Sequence, residues 1–290
     1  MRQQVSTMLY NIMSEDEHVV VLLGDVGAFL FRDIFADFPD RIYNLGICEQ
    51  ATVGVAAGLS KSGFIPTFYG IAPFVVERAL EQIKIDFGYQ KLKGNFITVG
   101  NSYDYTSLGC THHCPADVRV IQTIPDMNIF VPGNSEEFDY IYRSTYNKGL
   151  SYYRLSEHPN IGFTLKGETV VGCLMKEGSL ATVIAVGTML DAVLSATRDL
   201  DVSVLYYTQV RPFDKDLLIK NLKGDTIFVC EPYYEGALDY DICCIIDKPI
   251  RIKSIGVPHI FLTKYGTKKE MDEWIGLTPE NIRNVIKESL

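Results

Sequence analysis

Two short stretches of this 290-residue chain carry side chains suited to chemistry. Cys110-Thr111-His112-His113-Cys114 sets two thiols and two imidazoles within five residues. A zinc site draws tetrahedral ligands from separate stretches of chain. Five consecutive residues cannot all reach one centre, and the sequence holds no second cluster, so no metal is expected in this loop. Adjacent histidines in a polar loop suit hydrogen bonding or proton transfer to a substrate, or form a surface pair. Glu49 stands in Asn44-Leu45-Gly46-Ile47-Cys48-Glu49-Gln50, between an apolar strand and a segment rich in Gly54, Ala56, Ala57 and Gly58. A carboxylate at a helix start is either a cap favoured by the helix dipole or an acid tuned by burial. The small residues behind it admit another helix, whose approach would bury Glu49. Gly24-Asp25-Val26-Gly27 has neither the third glycine of a dinucleotide loop nor the Lys-Ser/Thr of a phosphate loop, and reads as a strand-end turn.

The elements that must position these residues alternate along the chain. Short apolar runs predict strands over 18–23, 41–45, 64–69, 95–99, 128–131 and 151–155. Helical periodicity marks 50–60, 74–90 (through Val76, Ala79, Leu80, Ile83 and Phe87) and 135–146, where Ser135 is the expected cap. Residues 103–115 form a long polar loop, a candidate site. The second half repeats the alternation: strands over 180–186, 202–207, 226–230 and 251–256, helices over 190–200, 215–222 and 237–246. A capping box at Thr267-Lys268-Lys269-Glu270 and a Thr278-Pro279 start open the last two helices. This pattern predicts an α/β chain of two doubly wound domains with mostly parallel sheets and ligands beyond the carboxyl ends of the strands. The expected division is 1–158, a Pro- and Gly-containing linker over 159–175, and 176–290.

A net charge of −9 disfavours nucleic acid and anionic membranes as partners. No apolar run is long enough to span a bilayer and no signal peptide is evident, so a cytoplasmic chain with reduced thiols is expected; its seven cysteines include no CxxC pair.

Several segments resemble transketolase and 1-deoxyxylulose-5-phosphate synthase. Asn44–Leu59 is similar to the central segment of those enzymes. In the same order follow Phe74 with Glu77-Arg78-Ala79-Leu80-Glu81-Gln82-Ile83, then Gly109-Cys110-Thr111-His112, Ile124-Pro125-Asp126-Met127-Asn128, Val210-Arg211-Pro212-Phe213-Asp214 and Tyr265-Gly266-Thr267-Lys268-Lys269-Glu270-Met271. The resemblance runs over nearly all of the chain and covers the pyrimidine-binding and C-terminal domains. The family's diphosphate-binding domain, with its Gly-Asp-Gly and Asn signature, has no counterpart in it. The resemblance therefore implies the C-terminal subunit of a split transketolase. It further implies a diphosphate-binding partner subunit, a heterotetramer, thiamine diphosphate, and Mg²⁺ held mainly by the partner.

It also implies roles. Glu49 matches the glutamate that hydrogen-bonds the cofactor's pyrimidine, and Phe74 the aromatic that stacks on it. Asp25 matches a strand-end acid near the cofactor or a subunit contact. Ile71 and Glu77 stand where the family has pyrimidine-pocket aromatics, Ile71 still lining the cofactor. His112 matches the histidine that faces substrate hydroxyls and assists proton transfer, with His113 beside it. Arg154 matches an arginine that binds a substrate phosphate. Two sugar-reading positions depart: Leu108 replaces an acid four residues before His112, and Gly100 a histidine twelve residues before it. The expected activity is transfer of a two-carbon ketol unit between sugars, on a modified, unphosphorylated or carrier-linked substrate. The alternatives are a decarboxylating thiamine enzyme, resembling deoxyxylulose-phosphate synthase or a 2-oxo-acid dehydrogenase beta subunit, and a non-catalytic scaffold.

Overall fold

The computed structural model describes residues 1–165 and 171–290. The middle of the expected linker, 166–170, lies outside the described residues. The first sheet contains β1 (Val19–Leu23), β2 (Ile42–Asn44), β3 (Ile65–Ile71), β4 (Gly94–Val99), β5 (Asn128–Phe130) and β6 (Leu150–Arg154). The second contains β7 (Gly172–Lys176), β8 (Thr182–Val186), β9 (Ser203–Tyr207), β11 (Thr226–Tyr234) and β12 (Arg251–Val257). One strand changes sides: β10 (Gln209–Arg211), from the second half, pairs antiparallel with β5 and completes the first sheet in the order β10-β5-β6-β4-β3-β1-β2.

The apolar run at the start of β1 has the composition of a central parallel strand, and all five residues are buried. It pairs with β2 on one side and β3 on the other. The second sheet runs β12-β11-β8-β9-β7, parallel except for β7, which lies antiparallel on β9. Residues 172–175, expected in the linker, thus belong to a strand: Gly172, Cys173 and Leu174 pair with Tyr207, Tyr206 and Leu205. Two α/β units with mostly parallel sheets are what the alternation predicts. Its omissions are the helices Arg2–Glu15, Arg32–Asp37 and Asp117–Ile121 and the short strands β7 and β10, whose apolar patterns are too brief or too mixed to stand out.

Local chemistry differs at two helices. Asn134, not Ser135, caps Ser135–Thr145, its side chain accepting from the N–H groups of Glu136 and Glu137. The helix expected over 74–90 is broken into π-helical turns at Pro73–Glu77 and Ile83–Tyr89 around a short α-helical segment, Leu80–Gln82. Val76, Ala79, Ile83 and Phe87 are nonetheless fully buried as the periodicity predicts. The capping box at Thr267 and Glu270 forms as expected. Among the described residues no helix is long and apolar enough to cross a membrane.

Candidate functional site at the carboxyl ends of the first sheet

Four neighbouring strands, β4-β3-β1-β2, deliver the candidate residues at their carboxyl ends, where open α/β sheets bind ligands. Asp25 follows β1, Glu49 follows β2, Ile71 ends β3 and the histidine loop follows β4.

Glu49 is the first residue of the helix Glu49–Lys61; Cys48 precedes it and makes no side-chain capping bond. The Glu49 carboxylate is turned inward, 3% exposed, and accepts a 2.6 Å hydrogen bond from Nη1 of Arg78. The capping alternative is therefore set aside. The chain's own residues enclose Glu49, and the helical segment that approaches near Gly54 is the chain's own turn Ile83–Tyr89, whose Asp86 Oδ2 lies 3.9 Å from a Cβ placed there. A Cβ at Gly58 would meet nothing within 4 Å, so that helix face stands open.

Arg78 follows the π-helical turn Pro73–Glu77. Val75 and Val76 are buried and pin this turn to the core, while a wide π turn lets Phe74 and Arg78 project together. The turn comes so close to β3 that a Cβ at Gly70 would lie 2.7 Å from Val75 Cγ2, so glycine is required there. The Arg78 guanidinium lies 4.4 Å from the centroid of the Phe74 ring, and Phe74 meets His112 edge-on at 5.3 Å. Glu49, Arg78, Phe74 and His112 thus form one continuous chain of contacts. Sequence reasoning passed over Arg78, whose only signal was its place four residues after Phe74.

The second half of the molecule fastens the histidine loop. Ser102 forms an isolated antiparallel bridge with Cys114 and donates its hydroxyl to the Pro232 carbonyl. Tyr103 donates to Asp272 at 2.5 Å, and Thr106 to the Gly266 carbonyl. Gly109 has φ +74°, and a Cβ there would lie 2.5 Å from Cε1 of Tyr265. His112 sits in a 3₁₀ turn, half-buried, its Nδ1 3.0 Å from the Thr111 hydroxyl. His113 has a different environment. It is 6% exposed, and neither ring nitrogen has a hydrogen-bond partner among the described residues. Burial holds its pKa below the usual imidazole value, so the ring is neutral at pH 7.

Asp25 is exposed, in the left-handed region (φ +66°), and linked to Asn44: its N–H donates to Asn44 Oδ1 and its Oδ1 accepts from Asn44 Nδ2, both at 3.0 Å. Ile71 is half-buried, and Leu108 is 49% exposed in the loop. Arg154 is held by neighbours on both sides. Its side chain is 2% exposed, Nε donates to Asp117 Oδ2 at 2.7 Å, and Nη2 donates to the Ser102 hydroxyl and the Pro232 carbonyl. Asp117 is fully buried, and burial raises its pKa against the pull of Arg154. The guanidinium joins the two halves of the molecule, and Arg154 also lines a cavity with Asn101, Tyr103 and Asp104. Glu77 is exposed, near Cys114 and Asp117, and partial desolvation, the largest cause, raises its pKa. Among the described residues no group of three His, Cys, Asp or Glu side chains is arranged to hold a metal ion.

A parallel sheet that presents a buried carboxylate, an aromatic ring and an imidazole at its strand ends, backed by a second α/β unit, defines a two-domain protein of the thiamine-enzyme class. Residues 1–158 match the model of the transketolase pyrimidine-binding domain and residues 172–282 that of the transketolase C-terminal domain. This chain belongs to the transketolase family. It is a transketolase-type transferase subunit carrying the pyrimidine-binding and C-terminal half of that thiamine-diphosphate-dependent enzyme. It is 35% identical to an uncharacterized 33.6 kDa protein in the fasciation locus of Rhodococcoides fascians, over 98% of this chain and 93% of that one. It is 29% identical to an apulose-4-phosphate transketolase subunit of Actinobacillus succinogenes, over 85% of this chain and 84% of that one. Among solved structures, a split-gene transketolase described as an inactive beta4 tetramer superposes with a TM-score of 0.86 at 25% identity, covering 99% of this chain and 96% of that one.

Proposed function

We propose that this chain joins a diphosphate-binding partner subunit, as a heterotetramer in the cytoplasm, to move a two-carbon ketol unit between sugars, one of them atypical. The observation that carries this reading is the inward-facing Glu49 carboxylate, linked through Arg78 to the face of Phe74. A buried carboxylate beside an aromatic ring and the apolar Ile71 suits a flat heterocycle with a protonatable nitrogen. Glu49, Phe74 and Ile71 would hold the pyrimidine of thiamine diphosphate, with Asp25 at the same strand-end edge. Mg²⁺ and the diphosphate are assigned to the partner.

Thiamine diphosphate, when bound, supplies the electron sink for breaking and making a carbon–carbon bond beside a carbonyl. Glu49 would hydrogen-bond a ring nitrogen of the pyrimidine, where its carboxyl can hold a proton. Arg78 holds that carboxylate in place. His112, half-exposed and anchored by Thr111, meets substrate hydroxyls and carries a proton to and from them. His113 is neutral and its ring nitrogens are buried, so it backs the loop against the Tyr105 backbone, beside the histidine that faces substrate. Arg154 supports the loop from below through Ser102.

With Arg154 committed to Asp117 and Leu108 exposed where the family has an acid, the means of reading an ordinary ketose phosphate are reduced. This supports a modified, unphosphorylated or carrier-linked sugar. The test is to purify the chain with its partner and assay ketol transfer across such sugars. Transfer by the complex, and none by the single chain with thiamine diphosphate and magnesium, is the expected result. Carbon dioxide released from pyruvate would favour the decarboxylating alternative.

A further inference from the structure

Tyr105 occupies ground that the reading above leaves unassigned. Gly100, at the end of β4, has φ +69°, and a Cβ placed on it would fall within the Tyr105 ring, 2.5 Å from Cδ2 and 2.8 Å from Cζ. The two positions are therefore matched. The left-handed backbone disfavours any side chain at residue 100, and the ring fills the room one would need. The same ring lies edge-on to His112, with centroids 6.3 Å apart. His112 thus touches Phe74 and Tyr105, and the Tyr105 ring bounds the space beside the imidazole.

The charges around this wall are mixed. The exposed Glu157 carboxylate lies close to the phenol; together with burial, the larger cause, it raises the Tyr105 pKa, so the hydroxyl stays protonated and able to donate. Arg2 lies near the same ring and acts in the opposite direction. Asp104 is buried, its Oδ1 accepting from the Ser156 hydroxyl and its Oδ2 from the Glu157 N–H. Arg154 is held by Asp117. A phosphate here would meet Glu157, with Arg2 as the cation at hand. A sugar hydroxyl would find the Tyr105 phenol, while the buried His113 ring lies behind it against the Tyr105 backbone.

We propose that Tyr105 determines the specificity of the site: its ring, seated over Gly100 and beside His112, admits a ketose whose far end is small, neutral and hydroxyl-bearing, and shuts out one that ends in a phosphate. The proposal rests on the reading that His112 faces the substrate. A wall that removes room, beside a carboxylate that repels an anion, discriminates chiefly in binding, because the group it excludes lies away from the bond being broken.

The experiment uses the complex with the diphosphate-binding partner, thiamine diphosphate and magnesium. Steady-state kinetics and calorimetric binding of D-xylulose and D-xylulose 5-phosphate are compared for the unmodified chain, Tyr105→Phe, Tyr105→Leu, Tyr105→Ala and His112→Ala. Tyr105→Ala should shift preference toward the phosphorylated ketose by about ten-fold or more, mainly through KM. Tyr105→Leu should shift it in the same direction, and Tyr105→Phe, which keeps the ring, should hold the original preference. Calorimetry supplies the ratio even where turnover is slow, and Tyr105→Leu supplies it where Tyr105→Ala does not assemble. An unchanged ratio in folded Tyr105→Leu and Tyr105→Ala complexes, with kcat still reduced in His112→Ala, would overturn the proposal and leave the site reading standing. An unchanged kcat in His112→Ala would overturn both.

Discussion

Arg78 and Glu49 meet at 2.6 Å, and the same guanidinium lies 4.4 Å over the Phe74 ring. A flexible cation thus ties the inward-facing acid to the aromatic that flanks it. Replacing Arg78 with Met keeps most of the stem but leaves Glu49 without its donor. An unsatisfied buried acceptor costs roughly 1–3 kcal/mol. We expect Arg78→Met to lower denaturant stability by an amount in that range and to slow turnover of the complex. An unchanged unfolding midpoint would show that Glu49 finds another donor.

Glu49→Gln preserves shape and removes the carboxylate that would share a proton. Turnover of the assembled enzyme should fall by about 10²- to 10⁴-fold, with folding and assembly preserved. Hydrogen exchange at the cofactor's reactive carbon, followed by NMR after a quench, should slow in parallel. Full activity with normal exchange would remove Glu49 from the mechanism.

The buried Arg154–Asp117 pair predicts a folding defect rather than a simple binding defect. Arg154→Ala strands a carboxylate that is 0% exposed, and breaking such a pair costs about 3–5 kcal/mol. It also frees Ser102, which anchors the histidine loop to Pro232. Denaturant unfolding should show the loss directly. A variant of normal stability with only a raised KM would return Arg154 to the role of phosphate ligand.

Acid should loosen the chain through His113. Its folded pKa lies below the value it has when unfolded, near 6.5, so the unfolded chain binds more protons over the interval between the two. Stability from this group is complete above pH 6.5 and is lost as pH falls from there through the folded pKa. A His113→Gln chain should show a flatter stability profile as pH falls below about 6.5. Parallel profiles for the two chains would indicate that the ring is solvated in solution.

The open face of the helix Glu49–Lys61 predicts an assembly contact. Gly54 and Val55 are exposed, and a Cβ at Gly58 meets nothing in its own chain. Gly58→Arg should leave the unfolding of the isolated chain nearly unchanged and reduce assembly with a second copy or with the partner, as read by sedimentation. Intact assembly would place the subunit contact elsewhere.

The alternation of apolar runs with helical periods determined both α/β units, because a strand buried on two faces and a helix with one apolar stripe leave distinct records in composition. Glu49 and the His112 loop stood out by residue type and place, whereas Phe74 and the roles of all three came from the resemblance to transketolase. Tertiary structure alone decided what these residues touch. Glu49 is buried by Arg78, which lies 29 residues away in sequence. The resemblance gave Arg154 the role of a phosphate ligand, but not its partner Asp117, 37 residues before it. Gly100 read as a missing histidine, whereas the fold shows its place filled by Tyr105. Periodicity reports which face of an element is buried, but the partner of a buried charge, and the ring that fills a vacated position, depend on chain segments that meet only when the sheet has formed.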